Sequence, residues 1–203
     1  LKLGSFEQLY AEHNFIWSVS SYEYLFNMYS IYLYDVMHFD THGGSMRYFF
    51  TKQKKNKSNK LFEYENLENN FRIKSNQTYL EFMHKSEKIC NDLKNFVIEK
   101  INLGFSVAGY GATAKSTTIL NFMKMNSKLI SYIYDSTPFK IGKLTPGTYI
   151  PIRNSNFLID DKPDYTILFA WNHKKEILKK EKLKGSKTKW VEYMPDINIL
   201  NEN

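Results

Sequence analysis

The chain has 203 residues, a formal net charge of +7 and a single cysteine. Because 42% of the residues are hydrophobic and 16% are aromatic, the composition predicts one well-packed domain, with room for an appended segment, and excludes a disordered chain. One cysteine excludes both a disulfide framework and a multi-cysteine zinc site, and no apolar run approaches the about 20 residues of a membrane helix. We therefore expect a piece of a larger cytoplasmic protein, without a membrane segment or a bound metal.

The positive charge is concentrated in one lysine-rich stretch. Its members are Lys52, Lys54, Lys55, Lys57 and Lys60, interspersed with Asn and Ser. Lysines can neutralise the phosphates of a nucleic acid, but no nucleic-acid-binding motif accompanies this stretch. We therefore expect a solvated loop and no nucleic-acid partner.

The N-terminal half predicts a mixture of helices and one strand. A helical start is followed by a second helix over Ser20–Tyr29. Alternation then predicts a strand that has Met46, Tyr48 and Phe50 on one face and Arg47 and Phe49 on the other.

After the lysine-rich stretch, the spacing of apolar residues predicts a long amphipathic helix over Asn76–Lys100. Its apolar positions are Tyr79, Leu80, Met83, Ile89, Leu93, Phe96 and Val97. Cys90 lies among them and is expected to be buried.

From Phe105 onward, strands alternate with helices. The predicted strands are Phe105–Ala108, Leu129–Tyr134, Tyr165–Ala170 and Trp190–Tyr193, and the predicted helices are 112–125 and Glu176–Lys184. Residues 137–164 carry most of the prolines and predict loops with short extended pieces. The alternation indicates an α/β fold, with a Rossmann-like, mostly parallel sheet flanked by helices. We place this domain and its leading long helix at 76–203, behind a smaller mixed helical and strand segment at 1–75.

A glycine-rich turn links the first of these strands to its helix. Residues 109–114 read Gly-Tyr-Gly-Ala-Thr-Ala and fit G-x-G-x-x-A, a turn that can present a helix N-terminus to a phosphate. Asp135 ends the next strand, where a dinucleotide fold places its ribose-binding acid. Ala114 stands where a P-loop requires glycine. The pattern leaves open a structural turn, a dinucleotide site or a site for another phosphate ligand.

Several separated segments together resemble the nucleotide-sugar C-methyltransferases, in the same order and over nearly the whole chain. The segments are Leu9–His13, Thr41–Arg47, Gly109–Lys115, Tyr134–Lys140, Pro146–Ile152 and Ala170–His173. The resemblance implies an S-adenosylmethionine-dependent enzyme that methylates a carbon of a keto-deoxysugar linked to a nucleoside diphosphate. The chain is similar only to the C-terminal part of such enzymes. S-adenosylmethionine is therefore expected on a domain absent from this chain, either preceding it or on a partner chain.

Methylation beside a ketone requires a base that removes a C–H proton and a donor that stabilises the enolate. Tyr10 and His13 are three residues apart and would share one face of a helix. Histidine is the usual base near neutral pH, and the resemblance implies that role for His13. Tyr10 is the expected donor. Glu12 would point elsewhere and either orient a partner or line the edge of the pocket.

The other predicted site residues concern the nucleoside-diphosphate sugar. His42 is either a second acid–base group or a sugar contact, and the adjacent glycines alternatively shape a bend. Lys115 and Lys140 would reach the diphosphate, and Tyr110 would stack on a base or sugar, although Lys140 alternatively remains solvated and Asp135 alternatively bonds a nearby turn. The predicted substrate-binding residues are Thr41, His42, Gly43, Ser45, Gly109, Tyr110, Gly111, Ala112, Lys115, Asp135, Lys140, Trp171 and Asn172.

Two functions from other classes stay open. The first is a non-catalytic nucleotide-sugar binding module, which would not require the pair Tyr10 and His13. The second is an NAD-dependent oxidoreductase fragment built on the glycine turn, which leaves the segments around His13 and Thr41 unexplained.

Overall fold

The computed structural model describes residues 1, 4–41 and 44–200. These residues form a six-stranded, mostly parallel sheet flanked by helices and a separate two-stranded antiparallel sheet, which confirms the predicted α/β class. The chain divides into a larger unit, Leu1–Asn14 with Phe82–Asn203, and a smaller unit, Phe15–Glu81. The predicted division into 1–75 and 76–203 differs chiefly because the first residues belong to the larger unit. No helix of the described residues is long and apolar enough to cross a membrane.

The smaller unit consists of two helices and a hairpin. Helix α1 spans Val19–Asn27, strands β1 and β2 span Tyr32–Phe39 and Ser45–Thr51, and helix α2 spans Asn59–Asn70. Its buried core is formed by Val19, Leu33, Val36 and Leu61. Met46, Tyr48 and Phe50 pack against this core while Arg47 is exposed, so the predicted faces of β2 are confirmed.

Two predictions for the smaller unit need correction. Strand β1 and helix α2 were not anticipated, and Lys60 lies within α2 rather than in a loop. The loop itself covers residues 52–58. Within it, Lys57 is not simply solvated, because its ammonium lies 2.6 Å from a carboxylate oxygen of Glu23 and also pairs with Glu65.

The larger unit contains the remaining elements in chain order. Its helices are α3 (Asn76–Asn102, which begins in the smaller unit), α4 (Ala114–Met123), α5 (Leu158–Asp161) and α6 (Lys174–Leu183). Its strands are β3 (Val107–Tyr110), β4 (Ile133–Asp135), β5 (Ile152–Asn154), β6 (Tyr165–Leu168), β7 (Lys189–Glu192) and β8 (Asn198–Leu200). Their order across the sheet is β5-β4-β3-β6-β7-β8, and only β8 is antiparallel to its neighbour. Strand β8 was not predicted.

Successive residues of the parallel strands point to opposite faces of the sheet, and each face has its own core. Val107, Ile133 and Ile167 share one core with apolar residues of α3 and α4. Ala108, Tyr134 and Leu168 share the other with Ile177 of α6.

The packing of the long helix on the sheet is confirmed for its second half. Ile89, Cys90, Leu93 and Val97 of α3 are buried in the first of these cores. The apolar positions nearer the start of α3, including Tyr79 and Met83, remain exposed.

Candidate functional site

The part of the predicted site that surrounds the glycine turn lies at the carboxyl ends of the parallel strands. β4 and β6 flank β3 on opposite sides, so the chain reverses its winding direction between β3 and β6. In open α/β sheets, ligands bind at such a switch point. The glycine turn follows β3, Asp135 ends β4, and Trp171 follows β6.

Both glycines of the turn are required by close packing. A Cβ atom added to Gly109 would lie 2.6 Å from Cε2 of Phe169. Gly111 has φ +95°, and a Cβ atom there would lie 2.7 Å from the Cβ of Ala170. The glycine pattern therefore has a sufficient structural reason, namely the close approach of the turn to the segment that follows β6.

Asp135 holds the glycine turn in place. One carboxylate oxygen accepts the N–H of Ala112 at 2.8 Å, and the other accepts the N–H of Thr137 at 2.8 Å. The Lys140 ammonium lies 3.7 Å from Asp135 and donates to the carbonyl oxygen of Ala112 at 2.7 Å. Asp135 therefore bonds a nearby turn, which was one of the two alternatives for this residue. Lys140 also forms a hydrogen bond to that turn.

Helix α4 starts beside the turn with a complete capping box. Oγ1 of Thr113 accepts from the N–H of Ser116, and Oγ of Ser116 accepts from the N–H of Thr113. Ala114, the first helical residue, is exposed. The N–H groups of Ala114 and Lys115 make no hydrogen bond to the described residues, so two donors at the helix start stay available to an anion.

Lys115 is not a surface lysine. Its side chain is 9% exposed, and its ammonium sits 4.7 Å from the centre of the Trp171 ring. Trp171 in turn donates its indole N–H to Oε1 of Glu7 at 3.0 Å. Glu7 is fully buried in the short 3₁₀ helix Phe6–Gln8. Three distant parts of the sequence thus meet at this edge of the sheet.

Burial shifts the protonation of this cluster. It raises the pKa of Glu7, against the opposing effects of hydrogen bonds and of the Lys115 charge. It also lowers the pKa of Lys115, which the Glu7 charge opposes. The hydroxyl of Tyr193 is buried near the same carboxylate, and burial raises its pKa well above the ordinary value.

Tyr10 and His13 meet, although not on a helix. Residues 10–13 form a turn in which the N–H of His13 donates to the carbonyl oxygen of Tyr10 at 2.7 Å, so the predicted helix is wrong here. Nδ1 of His13 lies 2.8 Å from the carbonyl oxygen of Gln8, and Nε2 lies 3.1 Å from the Tyr10 hydroxyl. A carbonyl oxygen can only accept, so Nδ1 carries the proton and the lone pair of neutral His13 is on Nε2.

Four other predicted site residues range from exposed to buried. Glu12 is exposed on the same turn. Tyr110 is 4% exposed, donates its hydroxyl to Glu181 at 2.8 Å and packs its ring against Trp190, so the ring would have to leave the core to stack on a ligand. Asn172 is half-buried in the 3₁₀ helix Trp171–His173. Ala112 is buried and contributes its backbone.

The segment Thr41–Ser45 connects the two strands of the hairpin in the smaller unit. The Thr41 carbonyl oxygen accepts from the N–H of Gly44 at 3.0 Å and from the hydroxyl of Ser45 at 3.1 Å. Gly44 has φ +116°, which fits the alternative that glycine shapes a bend here. His42 and Gly43 lie outside the described residues.

Three groups were missed by sequence reasoning: the Glu7 carboxylate, the Gln8 carbonyl and the Tyr193 hydroxyl. Glu7 stands between Phe6 and Gln8 in the sequence, and its partner Trp171 is 164 residues away. No local pattern could have indicated that this carboxylate is buried.

Among the described residues, no three His, Cys, Asp or Glu side chains converge on a possible metal site.

The fold and this arrangement define a Rossmann-like α/β domain with a polar site at the carboxyl edge of its sheet. A family model described as the C-methyltransferase C-terminal domain matches residues 40–195, and the chain belongs to this family. The match includes the glycine turn, Asp135 and Trp171, whereas Glu7 and the Tyr10–His13 turn precede it.

The C-methyltransferase NovU of Streptomyces niveus is similar over nearly the whole chain. The two are 32% identical over 184 residues, which cover 90% of this chain and 44% of NovU. The chain thus spans less than half the length of this relative.

Proposed function

We propose that this chain is the substrate-binding, base-supplying domain of an S-adenosylmethionine-dependent sugar C-methyltransferase, with a nucleoside-diphosphate-linked keto-deoxysugar as substrate. The observation that carries the proposal is the Tyr10–His13 turn in a chain of the C-methyltransferase family. His13 presents an unprotonated Nε2 with a phenol directly beside it, and both side chains are accessible. A module that only binds a sugar nucleotide needs no such pair.

In the proposed mechanism, Nε2 of His13 removes the proton from the carbon beside the ketone. The hydroxyl of Tyr10, which contacts Nε2 of His13 in the structure, then donates its hydrogen bond to the enolate oxygen instead. This hydrogen bond lowers the energy of the negative charge that develops there. S-adenosylmethionine, when bound, supplies the electrophilic methyl group. Glu12 is exposed on the same turn and lines the edge of the site.

The diphosphate is proposed to bind at the start of α4. Ala114 is exposed there, the backbone N–H groups of Ala114 and Lys115 have no hydrogen-bond partner among the described residues, and the helix dipole favours an anion. Lys115 and Lys140 add positive charge close to these donors, although each is already engaged with protein groups. Asn172 and the hairpin residues Thr41, His42, Gly43 and Ser45 remain proposed sugar contacts.

The glycine turn does not fit the adenosine part of the methyl donor or of NAD. Asp135 is only 6% exposed and both of its oxygens accept backbone N–H groups of the turn, so the acid that would bind ribose hydroxyls is directed to the turn and is scarcely accessible to a ligand. This argues against the NAD-dependent oxidoreductase alternative. We therefore propose that S-adenosylmethionine binds a separate donor domain, on the same polypeptide or on a partner chain, and that the enzyme acts in the cytoplasm.

Proton abstraction can be tested without methyl transfer. In deuterium oxide, the complete enzyme should exchange the hydrogen on the carbon beside the ketone of its sugar nucleotide, as followed by NMR. His13→Gln should slow exchange and methylation by about 10²- to 10⁴-fold, while nucleoside diphosphate binding by calorimetry stays within twofold. The control His84→Gln replaces an exposed histidine of α3 and should leave both rates unchanged. Exchange at the normal rate in the His13→Gln enzyme would reject the base assignment.

A further inference from the structure

Glu7 is a buried acid in an unusual place. It lies in a single 3₁₀ turn, is fully inaccessible to solvent, and immediately precedes Gln8, whose carbonyl oxygen accepts from Nδ1 of His13. A carboxylate is costly to bury, and replacing a buried ion pair by apolar side chains is often neutral or stabilising. Stability alone therefore gives no reason for an acid at this position.

The contacts of Glu7 connect the Tyr10–His13 turn to the sheet. Oε1 of Glu7 accepts the indole N–H of Trp171 at 3.0 Å, and the ammonium of Lys115 lies over the same indole ring. Phe6 adds an apolar contact, with its ring centre 4.9 Å from that of Phe122 at the end of α4. Tyr10 is only three residues beyond Glu7, so their Cα atoms are at most about 11 Å apart.

Several buried polar groups surround the Glu7 carboxylate and respond to its charge. Oε2 of Glu7, Nζ of Lys115 and the hydroxyl of Tyr193 are all buried and have no hydrogen-bond partner within the part of the chain that the structure describes. The Glu7 charge acts on both Lys115 and Tyr193. A negative charge at this point attracts the ammonium, whereas a neutral side chain of the same size would not.

We infer that Glu7 is a positioning residue for His13: its carboxylate, held by the indole N–H of Trp171, fixes the Gln8 carbonyl that keeps the His13 proton on Nδ1. This inference deepens the proposed function and rests on it for its catalytic consequence. The tautomer itself does not depend on that function. With Nδ1 protonated, Nε2 is the free base, whereas the opposite tautomer would turn a proton toward the substrate and could not accept one.

The tautomer of His13 can be measured on this chain by ¹⁵N NMR of its histidine rings, above the pH at which they are charged. Among the five histidines, the His13 signal is the one lost in His13→Gln. The unaltered chain should show a protonated Nδ1 and a bare Nε2. Trp171→Phe keeps the ring beneath Lys115 but removes the indole donor, and the two nitrogen shifts should move toward each other as both tautomers become populated.

Matched variants separate positioning from a general loss of packing. Trp190→Phe alters a buried indole on the opposite face of the sheet, and Glu181→Gln alters another fully buried glutamate on that face. Neither should change the His13 signal, whereas Glu7→Gln should shift it in the same direction as Trp171→Phe. Unchanged His13 shifts in folded Glu7→Gln and Trp171→Phe chains would overturn the inference.

Turnover by the complete enzyme distinguishes this inference from the proposed function. Glu7→Gln should lower kcat by about 10- to 100-fold with little change in KM, because the substrate still binds while the base is misaligned. A shifted tautomer with unchanged kcat would support the positioning of His13 by Glu7 and reject His13 as the base. An unshifted tautomer would reject the positioning role, whatever happens to turnover.

Discussion

Glu7 and Lys115 are titratable groups buried on one face of the sheet, and no hydrogen bond joins them among the described residues. Burial disfavours the charged form of both, while the charge of each favours the charged form of its neighbour. The buried indole donor and the adjacent ring of Trp171 add to the effect, because they stabilise the anion and the cation respectively.

The raised pKa of Glu7 has a predictable effect on stability. Between its ordinary pKa of 4.5 and its raised native value, the folded protein keeps a proton that the unfolded chain has released. The free energy of unfolding therefore falls as pH rises through this window. Glu7→Gln lacks this contribution, so the stability of the unaltered protein relative to the variant should decrease from pH 4 to pH 7. Urea unfolding at several pH values measures the difference. A relative gain in stability with rising pH would show instead that Lys115 and Trp171 outweigh burial.

The connection from β3 to α4 shows how the local structure can require a glycine pattern without any ligand. Gly111 needs its glycine for two separate reasons, a left-handed backbone and a close contact with Ala170, whereas Gly142 has φ +78° with open space around it. The pair therefore separates the conformational cost of an added methyl group from its steric cost.

Gly111→Ala should destabilise the protein by about 3 kcal/mol, because strain from the backbone and overlap with Ala170 add. Gly142→Ala should cost only about 1 kcal/mol, the penalty of the left-handed backbone. Urea unfolding midpoints at constant slope provide the comparison. Equal losses in the two variants would contradict the close approach of the turn to Ala170.

Elements with a strong local pattern were predictable from the sequence. The spacing of Ile89, Leu93 and Val97 identified α3, and the glycine turn correctly marked the junction of β3 and α4. Helix α2 was missed because it is rich in Asn, Glu and Lys and buries only Leu61. Strand β8 has three residues and is defined by pairing with β7, which no local pattern encodes.

In the candidate site, too, features that depend on local sequence were predictable, whereas features that depend on distant residues were not. The spacing of Tyr10 and His13 predicted that their side chains lie close together, and they do, but on a turn instead of a helix. The position of Lys115 at the start of a helix predicts a contact with the diphosphate, but the local sequence does not show that this lysine is buried. Its burial depends on Trp171 and Glu7, which come from opposite ends of the chain and meet only in the folded protein.

At the scale of the whole molecule, the larger unit combines the first residues of the chain with everything after Glu81. The Tyr10–His13 turn therefore forms part of the same unit as the glycine turn and Trp171, although they are distant in sequence. The chain matches 44% of the length of NovU, and the matching family model describes a C-terminal domain.

Cys90 offers a direct measure of how firmly the larger unit is packed. It is the single cysteine of the chain, lies on α3 in the core against the sheet, and is 3% exposed. Burial, with a smaller contribution from the Glu7 charge, raises the pKa of its thiol to about 12. The native thiol is therefore both inaccessible and protonated at pH 8, and a thiol reagent should reach it only when the unit opens.

At pH 8, Cys90 should react with a thiol reagent on the order of 10³-fold more slowly than an accessible cysteine, or more slowly still. The control is a Lys88→Cys, Cys90→Ala chain, which places the thiol at an exposed position of the same helix. Because reaction through opening involves the ordinary thiol, the rate should level off near pH 9 instead of rising toward pH 12. Two results would contradict this expectation: a Cys90 rate within tenfold of the control rate, and a rate that still increases tenfold per pH unit above pH 10. Either result would mean that the packing of α3 does not exclude the reagent from the core of the larger unit.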